Sequence, residues 1–506
     1  MELALPSFLF LLTSILLLVL SLWFLQKKVT QSKSKVPPGP WTLPFIGSLH
    51  HFLNAGLSHH ALHDLARLYG PIMLIRAGEV DLVVLTSREA AEEVMKTQDA
   101  NFANRPVMHA PYVFAYGGTD IVLSTGAYWR QLRRICNSEL LSSKQVKCFC
   151  SIREEEINSL LNSFSVIPSK SPANLTAKIF ELTNNIIIRA AFGGKCKNRG
   201  FFLEILREVL EVVSVFNISD LFPSLSWLNM NMRRRVERLH RKLDLVLEDI
   251  LHEHLKKQHQ QKKGGDQALE YDLVDVLINL MENGDLDEPI TMDNIKAVIM
   301  DVLIAGTETS ASTITWAMAE LIRHPEIMAK AQAEIRQAAS KNTKFDENAL
   351  SYLRLVIKET LRMHPPAPLL LPRLCQESCQ ILGYTIPSGA RIVVNAWALG
   401  RNPDYWEDPE NFKPERFERS SVDFKGHDFR FLPFGAGRRI CPGIEFAVTL
   451  VEEAIARTLL HFDWSLPNWM KPEDLDMMET FGLTTTKKEP LYLIPTMRVP
   501  LPNSQC

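Results

Sequence analysis

Cysteine is scarce in this chain. Eight in 506 residues, with no C-x-x-C pair, give neither the dense pairing of a secreted disulfide scaffold nor the usual spacing of a zinc site, so most are expected to be reduced. Charge of one sign is missing as well: 56 basic against 58 acidic side chains leave a formal charge of -2, without the basic footprint of a nucleic-acid binder. No G-x-G-x-x-G dinucleotide fingerprint is present. Internal repeats are absent, no long flexible linker divides residues 36–506, and nothing follows Cys506 to make a prenylation box. With 46% hydrophobic and 23% charged residues, what remains is an ordinary globular composition with a substantial core.

The N-terminus departs from that average. Leu3 to Leu25 is an uncharged run of 23 residues, and at roughly 1.5 Å per residue it matches a hydrocarbon core about 30 Å thick. It is too long for the apolar part of a signal peptide, starts beside Glu2, and lacks a small-residue cleavage site, so it is expected to stay as an anchor. Lys27, Lys28, Lys33 and Lys35 follow at once, which places the rest of the chain in the cytosol. Residues 1–26 are therefore expected to be a membrane anchor, 27–50 a basic and proline-rich linker, and 51–506 a single catalytic domain. The linker's VPPGPWTLPFIGSLHH (36–51) contains four prolines and is expected to be stiff.

Beyond the linker, 72–86 predicts a β-hairpin around Gly78. Helical patterns then run at 87–98, 127–140, 143–165, 173–192, 201–215, 231–257, 291–323, 325–340, 347–363 and, near the end, 444–461. From 364 prolines and glycines multiply, which predicts short strands and ordered loops. The fold class is mainly α with small β-sheets.

One stretch asks for chemistry. FGAGRRICPG (434–443) sets Cys441 among glycines at 435, 437 and 443, with Arg438 and Arg439 three and two residues ahead. A core cysteine packs as a small hydrophobe and needs none of this company. Glycines let the backbone turn and approach, while amides and positive charge favour a thiolate, which is either a nucleophile or a metal ligand. A nucleophile wants a general base, yet the nearest upstream histidine is His427, so ligation is favoured.

These residues carry a resemblance. Phe434, Gly437, Arg439, Cys441 and Gly443 fit F-x-x-G-x-R-x-C-x-G, the signature of the cytochrome P-450 haem-thiolate monooxygenases, and the string resembles that of plant microsomal (A-type) members. The resemblance implies the fold of that family preceded by one transmembrane helix, haem b (iron protoporphyrin IX) as cofactor, Cys441 as axial ligand of the iron, and Phe434 beside the sulfur. A thiolate ligand favours O–O cleavage. It further implies a scaffold triad of Glu359 and Arg362 (E-x-x-R) with Arg416 of Pro414-Glu415-Arg416-Phe417. By spacing alone Glu359/Arg362 is no different from Glu204/Arg207 or Glu320/Arg323, where an exposed ion pair is the simpler expectation.

DVLIAGTETSAST (301–313) resembles the family's oxygen-activation helix at Ala305, Gly306, Glu308, Thr309 and Ser310. There Thr309 would hold oxygen or water, Glu308 would feed protons, and a bend at Gly306 would open space. The alternative is a Thr309 hydroxyl bonded back to the Ala305 carbonyl. Trp129 and Arg133 fit W-x-x-x-R, and with Arg373 and Arg439 they are implied partners of the haem propionates. Electrons would come from NADPH through the membrane cytochrome P-450 reductase, docking near Lys413, Arg416 and Arg438.

By family position the substrate pocket is lined by Val113, Phe114, Ile304, Ala305, Leu369, Leu370 and Phe481, an apolar set suited to a poorly soluble ligand. The expectation is one oxygen atom from O2 inserted into a hydrophobic plant specialised metabolite, a terpenoid of the grass diterpene kind, by an enzyme held on the endoplasmic reticulum membrane. Flavonoid, alkaloid or fatty-acid oxidation is the alternative within the family. A reductase-independent isomerase or dehydratase, or a haem carrier without catalysis, lies outside it.

Overall fold

The computed structural model describes residues 35–52, 58–194, 199–214, 218–261, 272–284, 286–341, 350–480, 482 and 484–501. The anchor, Phe481 and Cys506 lie outside the described residues.

The pattern at 72–86 folds as expected. Strands β1 (Ile72–Ala77) and β2 (Val80–Leu85) pair antiparallel, and Gly78 makes the turn at φ +66°, a conformation that Cβ-bearing residues resist. The remaining strands are β3 (Ala173–Asn174), β4 (Arg373–Leu374), β5 (Cys379–Ile381), β6 (Tyr384–Ile386), β7 (Arg391–Val394), β8 (Phe462–Ser465), β9 (Glu479–Thr480), β10 (Thr486–Lys487) and β11 (Tyr492–Met497). They form a four-stranded sheet ordered β1-β2-β7-β4, a three-stranded sheet ordered β3-β11-β8, and the hairpins β5-β6 and β9-β10. β7 joins β2 in parallel, which brings the Pro- and Gly-rich third of the chain back onto its N-terminal hairpin. The proline-rich stretch is docked there too: Leu74 donates to the Pro38 carbonyl and Ser48 to that of Arg76.

Helices supply the bulk. They are α1 (His59–Tyr69), α2 (Gly126–Ile135), α3 (Cys150–Ser165), α4 (Leu175–Phe192), α5 (Arg199–Ser214), α6 (Met230–Gln261), α7 (Leu273–Asn283), α8 (Met292–Arg323), α9 (Pro325–Lys341), α10 (Ser351–Met363) and α11 (Ile444–His461), joined by shorter turns. The predicted helices at 87–98 and 127–140 each finish in a wide π-helical turn, at Glu93–Thr97 and Cys136–Leu140. That predicted at 143–165 breaks at Phe149.

The centre of the molecule is α8. Its first turn is fixed by a reciprocal cap, in which Thr291 accepts from the Asn294 amide and Asn294 from that of Thr291. By length and composition this helix could cross a membrane, but 61% of its most apolar stretch is buried in the protein, where it packs on α4, α10 and α11. Gly306 packs closely there, since a Cβ on it would lie 2.7 Å from Ile187 Cδ1 on α4. Helix ends elsewhere follow the same chemistry, with Ser58 accepting from Ala61 at α1 and Asp272 from Asp275 at α7.

Candidate active site

Cys441 sits between a short 3-10 turn (Gly437–Arg439) and the N-terminus of α11. Gly435 and Gly437 hold φ of +71° and +70°. At Gly437 a Cβ would lie 2.1 Å from the Met95 carbonyl oxygen and 2.9 Å from Asp99 Oδ2, so only glycine fits. Gly443 differs from expectation: its φ of -92° is open to any residue, and its contribution is an amide hydrogen bond to the Cys441 sulfur. The Cys441 amide in turn donates to the Phe434 carbonyl at 3.0 Å, which closes the loop under the sulfur. The Phe434 ring packs edge-on against Phe424 at 5.5 Å.

The turn's amide and a nearby positive charge, that of Arg133, both act on the thiol in the expected direction. Burial pushes its pKa up, and the Gly443 amide and Arg133 only partly offset that. Turn and charge alone thus leave the thiol above its ordinary range, and the charge of a bound metal would favour the thiolate.

Around this turn four buried or half-buried guanidiniums gather, from Arg105, Arg133, Arg373 and Arg439. Arg373 donates to Asp99 Oδ1 at 2.6 Å and to the Ala436 carbonyl at 2.8 Å. Arg439 stacks on the Trp129 ring at 4.1 Å and donates to the carbonyls of Ala103, Ile121, Val122 and Ser124. Arg133 reaches the Ile440 carbonyl. Arg105, which the sequence reading missed, donates to the Leu371 and Pro372 carbonyls at 2.6 and 2.8 Å. Burial, then repulsion from Arg373 and Arg439, holds Arg105 well below its ordinary pKa, and burial with Arg373 holds Arg439 at about 10. Two donors in this cluster, Arg105 Nε and Trp129 Nε1, are buried without a partner.

On α8 the Thr309 hydroxyl bonds back to the Ala305 carbonyl at 2.6 Å, and Thr313 to that of Thr309 at 2.9 Å. Burial raises the Glu308 carboxyl above its ordinary range, with a hydrogen bond to Thr484 pulling the other way. One helical turn before Ala305, Asp301 Oδ2 accepts from the amides of Ile121 and Val122 at 2.7 and 3.2 Å. Burial and the neighbouring Asp120 push Asp301 well above the carboxylate range. Asp301 therefore pins to α8 the loop whose carbonyls hold Arg439; it lay inside the quoted motif but was given no role there.

The residues of the apolar set differ in burial. Ala305 is exposed and Val113, Ile304, Leu369 and Leu370 are half-buried, whereas Phe114 is 2% exposed and packs in the core against His240, ring centres 6.2 Å apart. Leu370, at φ +52°, lies beside the cysteine turn: its Cδ1 is 3.9 Å from where a Gly435 Cβ would be.

Glu359 is fully buried and bonds both arginines of the expected triad. It accepts from Arg362 Nε and Nη2 at 2.8 Å each, from Arg416 Nε at 2.9 Å and from the Lys413 amide at 2.8 Å. Arg416 is consequently removed from the expected docking surface, while Lys413 and Arg438 are exposed. The expected surface pair at Glu320/Arg323 is also corrected. Glu320 is buried and bonds His364 at 2.6 Å and His324 at 3.4 Å instead.

A family model described as cytochrome P-450 matches residues 37–494. The chain is 50% identical to desmethyl-deoxy-podophyllotoxin synthase of Sinopodophyllum hexandrum, over 95% of this chain and 96% of that protein. It is 49% identical to premnaspirodiene oxygenase of Hyoscyamus muticus (95% and 97%) and 47% identical to 5-epiaristolochene 1,3-dihydroxylase of Nicotiana tabacum (94% and 96%). A zebra fish cytochrome P-450 solved with progesterone superposes with a TM-score of 0.74 at 25% identity, over 87% of this chain and 99% of that one. Haem is the cofactor of such proteins, with electrons from NADPH through a reductase. The residues here fit it: a sulfur short of a cation, more guanidiniums than carboxylates, and two orphaned donors are the complement of a metal ion carried with two carboxylates.

Proposed function

The chain belongs to the cytochrome P-450 family and is a haem monooxygenase, and from that premise we propose that it oxidises a hydrophobic plant terpenoid. Bound haem supplies the metal centre at which O2 is reduced and one of its atoms given to the substrate. The chain's own residues do the rest. Cys441 would supply a thiolate ligand, and Arg105, Arg133, Arg373, Arg439 and Trp129 would hold the carboxylate side of the group. Glu308, whose pKa burial raises, is a proton reservoir on α8, and Thr309 can turn its hydroxyl from the Ala305 carbonyl towards a bound ligand.

The observation that carries the reading is the joint one at the cysteine turn: a glycine-only backbone, an amide on the sulfur, and excess positive charge around it. Val113, Ile304, Ala305, Leu369, Leu370 and Phe481 are the proposed pocket wall, with Phe114 behind it. Terpenoid chemistry is supported by relatives named for oxidising premnaspirodiene and 5-epiaristolochene, and by the absence of charge in that wall. Residues 1–26 are proposed to anchor the enzyme in the endoplasmic reticulum membrane, 27–50 to link it, and 51–506 to form the catalytic domain that meets the reductase through Lys413 and Arg438.

The test is to incubate microsomes holding the full chain and a reductase with terpenes, phenylpropanoids, alkaloids and fatty acids under NADPH, and to read products by mass spectrometry. Oxygenated terpenes are expected. Product from only another class would overturn the substrate reading, and turnover without NADPH would overturn the monooxygenase route in favour of an isomerase or dehydratase.

A further inference from the structure

Far from Cys441 in sequence, two neighbouring imidazoles and one carboxylate converge. His59 and His60 open α1, and Glu479 stands on β9. The Nε2 atoms of both histidines lie 2.5 Å from the same Glu479 oxygen, Oε1. One oxygen accepting two such short contacts crowds three donor atoms into the space of a single coordination sphere. Ligands on a tetrahedral zinc ion sit roughly 3.3 Å apart at metal bonds of about 2.0–2.1 Å, so a small outward movement of each group makes room for the ion.

We propose that His59, His60 and Glu479 form a zinc site that ties α1 to the β9-β10 hairpin.

The donor set is the two-imidazole, one-carboxylate combination that zinc accepts with a fourth position left open. The surroundings suit a metal site. His59 is fully buried, and its carbonyl accepts from Asn395 Nδ2 at 2.8 Å, which fixes the start of α1. Trp397 packs against both rings, 5.1 Å from that of His59 and 4.3 Å from that of His60, and limits their rotation. Glu479 is held on a strand paired with Lys487 and is 15% exposed. His60 is half exposed, so an ion has a path in and water can fill the open position. The site has a structural consequence, because Glu479 lies two residues before Phe481: the ion would fix the strand that leads into that position.

The experiment uses the full-length holoprotein in detergent with its affinity tag removed. It is equilibrated with Zn2+ alone, desalted, and assayed for zinc per haem by mass spectrometry. Native protein is expected to keep one zinc per chain that His60→Ala and Glu479→Gln both lose, while His63→Ala, whose ring also packs on Trp397, keeps it. Haem content and the carbon-monoxide spectrum verify folding; because His60 is half exposed, its variant carries the test if the other misfolds. In native protein, but not in His60→Ala, zinc is also expected to slow hydrogen exchange through 476–488. Equal zinc in native and His60→Ala protein, or none in either, would overturn the site and leave a hydrogen-bonded tether.

Discussion

Replacing Glu359 by glutamine tests the scaffold at its most heavily loaded atom. Glu359 Oε1 accepts from Arg362, Arg416 and the Lys413 amide, and Oε2 accepts from Arg362. An amide removes the negative charge between two guanidiniums and turns an N–H donor against the donors of Arg362. Arg362 is 1% exposed and cannot turn to water for relief. Breaking a buried pair by neutralising one partner costs about 3–5 kcal/mol, which is roughly two to three and a half powers of ten in an equilibrium constant. Against a typical domain stability of about 5–15 kcal/mol that is roughly a fifth or more of the total. A domain this large is expected to unfold irreversibly, so the assay is the rate of haem loss on heating, followed by the carbon-monoxide spectrum. Glu359→Gln should bleach far faster than native, while Glu204→Gln, at an exposed glutamate with the same i, i+3 arginine, should be unchanged. Equal bleaching rates for Glu359→Gln and native protein would show that the triad does not carry the scaffold.

Three further outcomes follow from the same geometry. Gly437→Ala should fail to incorporate haem in a pigment assay, because its Cβ would fall 2.1 Å from the Met95 carbonyl oxygen and the +70° φ costs a further ~1–2 kcal/mol. Burial alone would raise Glu320, but the hydrogen bonds from His324 and His364 override it and hold the carboxyl at about 2, below its ordinary 4.5, while Glu320 raises His324 above its ordinary 6.5. The carboxyl's contribution is thus full above 4.5 and lost as pH falls through about 2, and that of His324 is full below 6.5 and lost as pH rises past its raised value. The stability gap between native protein and Glu320→Gln, read by thermal melts across pH, should therefore be widest between 4.5 and 6.5. Thr309→Val should lower product per NADPH by about tenfold or more while NADPH consumption and peroxide release persist, as expected when the hydroxyl that holds oxygen or water between Glu308 and the reaction is lost.

Local motifs were legible in the sequence because their chemistry is local. The cysteine turn, the E-x-x-R spacing and the helical run of α8 depend on residues a few positions apart. The partners of those motifs were not legible. Arg373 finds Asp99, and Arg439 finds carbonyls at 103 and 121–124, across hundreds of residues. Arg105 gave no signal beyond being a charge in an apolar stretch. Glu320 was misjudged because i, i+3 spacing says nothing about burial, and α8 is buried nearly all round at that point. Helix α1 did carry a signal, Ser58 ahead of an amphipathic run, as did α7 with Asp272. The short helix at His109–Phe114 contains Pro111, and no periodicity over six residues could reveal it.

The bond between the Cys441 sulfur and haem iron is tested most directly by the reduced, carbon-monoxide-bound absorption spectrum of full-length native protein beside Cys441→Ser, each checked for helix content by circular dichroism. Native protein should give the red-shifted Soret band of thiolate coordination, and the serine variant should be folded without it. A native spectrum of the imidazole-ligated kind, or a serine variant that keeps the thiolate band, would mean that another residue holds the metal.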